Sequence, residues 1–113
     1  MFWTTLSSEE ELNTIIKNSH IKPQIIFKHS MRCGTSFLVK ESLEESESDP
    51  NLEIHLLDLI ANRNISDQIA SIFKVRHESP QVLIIKDGIC VYQKAHSGIR
   101  MQSILNATAD KFS

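Results

Sequence analysis

A chain of 113 residues with 41% hydrophobic content fits one globular domain, residues 1–113, large enough to bury roughly two-thirds of its unfolded surface. A formal net charge of -2, with Lys and Arg interleaved among Asp and Glu, offers no basic stripe, so nucleic acid is not an expected partner. No apolar stretch approaches the roughly 18 residues of a membrane span, and Met1 to Leu6 carries no positive leader, which predicts a soluble, cytoplasmic protein with no membrane contact.

Phe2 to Leu6 reads as a short first strand. Ser7-Ser8-Glu9-Glu10-Glu11 then opens a helix by the capping-box pattern, Ser8 facing Glu11, and Leu12, Ile15 and Ile16 give it one apolar face. Lys22-Pro23 stops it before a second strand, Gln24 to His29, and two strands joined by a helix are expected to be parallel. A second helix is predicted over about 34–45. Five acidic residues between Glu41 and Asp49 stand at the wrong pole of its dipole, which predicts fraying into a solvated turn ending at Pro50. Leu52 to Leu56 alternates as a third strand, and Asn64-Ile65-Ser66-Asp67 caps a third helix with Ile69, Ile72 and Phe73 inward. Gln81 to Lys86 and Ile89 to Gln93, joined by Asp87-Gly88, form an antiparallel hairpin on a type I′ turn. Ser97 precedes a last helix with Met101, Ile104 and Leu105 on one face, ending near Asp110.

Between the second strand and second helix lies Lys28-His29-Ser30-Met31-Arg32-Cys33-Gly34-Thr35-Ser36. A cysteine at that junction faces the free N–H groups of a first helical turn and the positive end of the helix dipole, which favour a negative charge. Arg32 adds a permanent cation, and the hydroxyl of Ser36 with the N–H groups of Thr35 and Ser36 can hydrogen-bond a thiolate. Ser36 also occupies the place where a C-x-x-C motif has its second thiol, so the loop holds one reactive sulfur and no local partner. The other cysteine, Cys90, sits in the apolar strand run Ile89-Cys90-Val91 and is expected to pack as an inert small hydrophobe. Two cysteines are too few for a disulfide scaffold.

The order βαβαβαββα, with a cysteine opening the second helix, is the thioredoxin arrangement. It implies a central mixed sheet, three parallel strands plus a C-terminal antiparallel hairpin, flanked by helices. In that arrangement the proline before the fourth strand lies opposite the cysteine; here it is Pro80, in His77-Glu78-Ser79-Pro80-Gln81, and a cis Ser79-Pro80 bond is expected. The main chain of Ser79 would then pair with an extended thiol substrate. His29, His77 and His96 fall towards the Cys33 end of the sheet, where they can tune the thiolate or hydrogen-bond substrate. A metal site would need three or four convergent ligands, and no metal-ligand spacing is visible, so no metal is expected. His20 and His55 are expected at surface positions without a role.

Phe27-Lys28-His29-Ser30 before Arg32-Cys33, Leu57-Asp58-Leu59 with Arg63-Asn64-Ile65-Ser66, and His77-Glu78-Ser79-Pro80-Gln81-Val82-Leu83 closely resemble the monothiol bacilliredoxin family, the YtxJ-type thioredoxin-like proteins of bacteria that use bacillithiol. Trp3, Gly88, Cys90, Tyr92, His96-Ser97 and Ile99 extend the resemblance along nearly the whole chain. It implies an enzyme that removes bacillithiol from mixed disulfides on cytoplasmic proteins, with Cys33 as nucleophile, His29, Arg32, Thr35 and Ser36 supporting its thiolate, and His77, Ser79 and Pro80 binding the thiol substrate. No bound cofactor is implied; the small thiol is the co-substrate. Two alternatives stand beside this reading. Cys33-Gly34-Thr35-Ser36 also resembles the C-G-F-S loop of monothiol glutaredoxins that carry an iron–sulfur cluster, although the chain has His96-Ser97-Gly98-Ile99 where they use Gly-Gly and paired Asp residues for glutathione. A non-enzymatic thioredoxin-like interaction module is the other.

Overall fold

The computed structural model describes residues 2–46 and 52–110. Five strands, β1 (Phe2–Thr5), β2 (Gln24–His29), β3 (Glu53–Asp58), β4 (Gln81–Lys86) and β5 (Ile89–Ala95), alternate with α1 (Glu9–Asn18), α2 (Gly34–Glu45), α3 (Arg63–Phe73) and α4 (Met101–Asp110). The sheet order is β1-β3-β2-β4-β5. β1, β3 and β2 run parallel, and β4 and β5 are antiparallel, as the hairpin requires.

Every residue of the central strand β2 is buried, because helices cover both sheet faces. Ile25, Phe27, Ile54, Val82 and Ile84 pack under Val39 and Leu43 of α2 and under Met101 and Ile104 of α4. On the other face Ile26, Leu57, Leu83 and Ile85 meet Leu12 and Ile15 of α1 and Ile65, Ile69 and Phe73 of α3. Alternation along β2 therefore sends Lys28 to the α1/α3 side and His29 to the α2 side.

The capping box forms with one arm displaced. Ser8 Oγ accepts from the Glu11 N–H at 3.1 Å, while Glu11 Oε1 accepts from the N–H of Ser7, not Ser8, at 2.8 Å. The hairpin closes on Asp87 and Gly88 with φ 52° and 78°, the left-handed pair that a type I′ turn demands. A register shift between Ile84 and Ile85 leaves Val91 without an opposite partner.

Some expectations need correction. Ile72 is 46% exposed, not inward: the buried stripe of α3 follows Ile65, Ser66, Ile69 and Phe73, and Ile72 falls on its border. That helix begins at Arg63, with Asn62 at the cap position and no side-chain capping bond. β1 ends at Thr5, although Leu6 is fully buried in the core. β3 starts at Glu53 and runs to Asp58, and β5 continues to Ala95, followed by a 3-10 turn over His96–Gly98. His55 is not a surface residue, since its ring is 12% exposed and its Nε2 lies 3.1 Å from Gln24 Oε1. α2 ends at Glu45 as expected; the rest of the predicted acidic turn, up to Pro50, lies outside the described residues.

Candidate active site

Cys33 is the N-cap residue of α2, with extended backbone, φ -109° and ψ 117°. Its carbonyl accepts from the Phe37 N–H at 3.1 Å and its own N–H donates to Ser30 O at 3.2 Å, so the loop is pinned on both sides of the half-buried sulfur. The thiol makes no capping bond itself. The first-turn N–H groups of α2 therefore face the cysteine without a side-chain acceptor, the arrangement that stabilises negative charge at a helix start.

Ser36 is fully buried beneath this loop. Its Oγ accepts from the Ser30 N–H at 3.0 Å and lies 2.6 Å from His29 Nδ1. Burial holds His29 below the usual histidine range, and the nearby Lys40 charge acts in the same direction, so the ring is neutral at pH 7. Two neutral tautomers follow. With Nδ1 bare, the Ser36 proton goes to the imidazole; with Nδ1 protonated, Ser36 accepts from it and its own proton is released towards the loop. The ring stacks on Phe27 with centroids 5.9 Å apart, and Phe27 meets Trp3 at 5.6 Å. Trp3 Nε1 donates to Glu44 at 2.8 Å, and Lys40 Nζ donates to the same carboxylate at 2.9 Å. α2 is thereby tied to β1 beside the site. A cavity of about 480 Å³ opens there, lined among others by His29, Met31, Phe37, Lys40 and Asp58, with Met31 and Phe37 largely exposed at its rim.

On the other flank the Ser79-Pro80 bond is cis, as the thioredoxin arrangement led one to expect. Gln81 pairs with Lys28, which sets Pro80 beside the end of β2 where the cysteine loop departs. Pro80 O accepts from the His96 N–H at 2.9 Å, and the turn after β5 packs against α2. Ser79 Oγ is buried without a hydrogen-bond partner.

The three histidines do not share one centre. His29 answers to Ser36, His77 lies on the opposite sheet face with Nδ1 3.3 Å from Lys28 Nζ and from Ser66 Oγ, and His96 Nε2 is 3.0 Å from Glu78 Oε2. Arg32, on the loop, and Thr35, in the first turn of α2, are exposed, the Arg32 N–H donating to Ser30 Oγ at 3.3 Å. Cys90 Sγ donates to Tyr92 O at 3.2 Å, and burial pushes its thiol up. It pairs with Ile85, four residues along β4 from Gln81, or about 13 Å towards the opposite end of the sheet.

Lys28 was missed as a site residue. It is fully buried, its Nζ donates to Ser66 O at 3.2 Å, and it reaches the loop that leads to Pro80 through His77. The signal was present, since a lysine inside an otherwise apolar buried strand has to find polar partners.

A family model described as monothiol bacilliredoxin BrxC matches residues 4–104. Among solved structures, a candidate oxidoreductase with a thioredoxin fold is 27% identical with a TM-score of 0.82, over 93% of this chain and 92% of its own. The thioredoxins of Malassezia sympodialis and Fasciola hepatica superpose with TM-scores of 0.73 and 0.70 at 12% and 17% identity. The first match covers 97% of this chain and 90% of the other; the second covers 95% and 97%. These two are likenesses of fold.

Proposed function

Because this chain belongs to the monothiol bacilliredoxin family, and is a thiol oxidoreductase of thioredoxin fold, we propose that it removes a low-molecular-weight thiol, bacillithiol, from mixed disulfides on other cytoplasmic proteins by a one-cysteine cycle. The observation that carries the single-cysteine part is the loop itself. Cys33 caps α2, the position three residues on is a buried serine bonded to His29 and Ser30, and the other cysteine of the chain lies well along the sheet.

The Cys33 thiolate attacks the small-thiol sulfur of the mixed disulfide. That S–S bond breaks, the client leaves as a thiolate that takes a proton from water, and Cys33 carries the small thiol in a new S–S bond. A second small-thiol thiolate attacks the adduct at the small-thiol sulfur. The products are the small-thiol disulfide and free Cys33: the two electrons that open the mixed disulfide to client thiol and small thiol are those released when two small thiols join as their disulfide. In this cycle the helix start holds charge on Cys33, Arg32 and the Thr35 N–H add to the positive field, and Ser36 with His29 fixes the loop. His77, Ser79 and Pro80 form the opposing wall, where the main chain of Ser79 pairs with the extended small thiol. No resident cofactor takes part.

The test is a client protein carrying bacillithiol on one cysteine, incubated with excess free bacillithiol and followed by whole-protein mass spectrometry. Wild type strips the adduct and Cys33→Ser does not. Release by Cys33→Ser at the wild-type rate would refute the assignment.

A further inference from the structure

We propose that Arg76, Lys94 and His96 form an anion subsite beside Pro80 that receives the carboxylate end of the small thiol handled by Cys33. This rests on the thiol-exchange reading of Cys33 and adds what the small thiol must carry. The subsite is an open basin of about 420 Å³ lined by Arg76, Glu78, Gln93, Lys94, Ala95 and His96. Its one carboxylate, Glu78, lies 3.7 Å from Arg76 Nε and 3.0 Å from His96 Nε2. Two permanent cations against one anion leave a positive charge over. Among the described residues Lys94 makes no ion pair.

The basin is built, not incidental. His96 holds a left-handed backbone, φ 62°, a conformation unfavourable for a residue with a side chain and retained where the surroundings enforce it. That backbone lets its N–H bond Pro80 O at 2.9 Å while its ring reaches Glu78. The Lys94 stem runs over Gly98, where a Cβ would stand 2.8 Å from Lys94 Cε. Two buried polar atoms nearby lack partners, Ser79 Oγ and Gln81 Oε1, and Gln81 Nε2 donates to Gln93 Oε1 on the basin wall.

The position suits a ligand whose sulfur is at Cys33. Lys28 pairs with Gln81 and Gln81 with Ala95, so the end of β2, Pro80 and His96 lie in one row across the sheet. Two strand spacings make that row about 10 Å long, the span of roughly three extended residues. Cys33 opens α2, which packs against the turn that carries His96, so a small thiol at least as long as this row is what would join Cys33 with one end and place a carboxylate among Arg76, Lys94 and His96 with the other.

The test reads the half-reaction of reduced Cys33 with glutathione disulfide and with the disulfide of glutathione diethyl ester, which has the same sulfur and length but masked carboxylates. Adduct formation is followed by stopped flow and mass spectrometry. The ratio of the two rates, corrected for the ratio with free cysteine, favours the carboxylate form in wild type. It falls about fivefold in Arg76→Gln/Lys94→Gln and shrinks at high salt. The charge-keeping Arg76→Lys/Lys94→Arg holds the wild-type ratio within about twofold. An unchanged ratio in the glutamine variant, or loss of preference in the charge-keeping one, overturns the subsite. A wild-type protein that forms these adducts yet strips no client would defeat the enzymatic reading while this ratio still reports on the basin.

Discussion

Ser36 Oγ and His29 Nδ1 stand 2.6 Å apart beneath the cysteine loop, and the same oxygen accepts the Ser30 N–H. The hydroxyl at the position of a second thiol thus joins the end of β2 to the first turn of α2. Ser36→Ala leaves the Ser30 N–H and His29 Nδ1 unpaired in a buried place, a loss of about 1–3 kcal/mol. Thermal unfolding should show a midpoint lower by several degrees, and thiol release should slow without vanishing, because the helix start remains. An unchanged midpoint would mean that water replaces both bonds and that the serine is not a structural joint.

A second prediction concerns Lys28. Burial is the main cause that brings its amine down to about 8 from 10.5, with Asp67 opposing and Arg63 reinforcing the shift. Between these two pH values the unfolded chain holds a proton that the folded chain has lost, so stability rises with pH through that window. Below pH 8 both states are charged and the cost of burying the ammonium is present in full. Lys28→Met removes the titrating group and leaves His77 paired with Ser66 Oγ. Denaturant unfolding should therefore find wild type gaining on Lys28→Met between pH 7.5 and 10, by on the order of 3 kcal/mol at most. A constant difference across that range would contradict it.

The sequence made some of this readable and hid the rest for physical reasons. Local chemistry is written in neighbouring residues. Ser8 caps α1, although that helix ends at Asn18, ahead of the Lys22-Pro23 expected to stop it; Asp87-Gly88 makes the hairpin, and a cysteine between an apolar strand and a helix becomes its N-cap. What depends on the other side of the sheet is not. Lys28 looks like an interruption of β2 until Ser66 and His77 arrive from α3 and the loop after it. His29, His77 and His96 sit near one end of the fold, but alternation along β2 sends His29 to one face and Lys28, with His77 beside it, to the other, and no local pattern foretells the left-handed turn at His96. Ile72 was misplaced for a related reason: helical spacing gives a stripe, and only packing decides where its border falls.

The two thiols should differ in reactivity. Cys33 stands half-buried at a helix start with no capping bond of its own, whereas burial pushes the Cys90 thiol up. Iodoacetamide at pH 7.5 followed by peptide mapping should label Cys33 at least about tenfold faster than Cys90 in the folded protein, and both alike in denaturant. Equal rates in the folded state would remove the case for an activated sulfur.

Cys90→Ser should separate stability from turnover. The substitution puts a hydroxyl where a weakly polar sulfur packs against the α1/α3 core, and Tyr92 O, already the acceptor of the thiol, is available to the new O–H. With that bond made, the loss is about 1 kcal/mol, read as a midpoint lower by a few degrees. In the proposed cycle the exchange steps involve only Cys33 and the sulfurs of its substrates, and Cys90 pairs with Ile85, towards the far end of β4 from Pro80. Release of bacillithiol from the client protein should therefore proceed within about twofold of wild type, whereas Cys33→Ser abolishes it, since a serine hydroxyl at neutral pH supplies no comparable nucleophile. If folded Cys90→Ser lost release as completely as Cys33→Ser, the cycle would require both protein sulfurs, and the one-cysteine mechanism would have to give way to one in which Cys90 resolves the adduct.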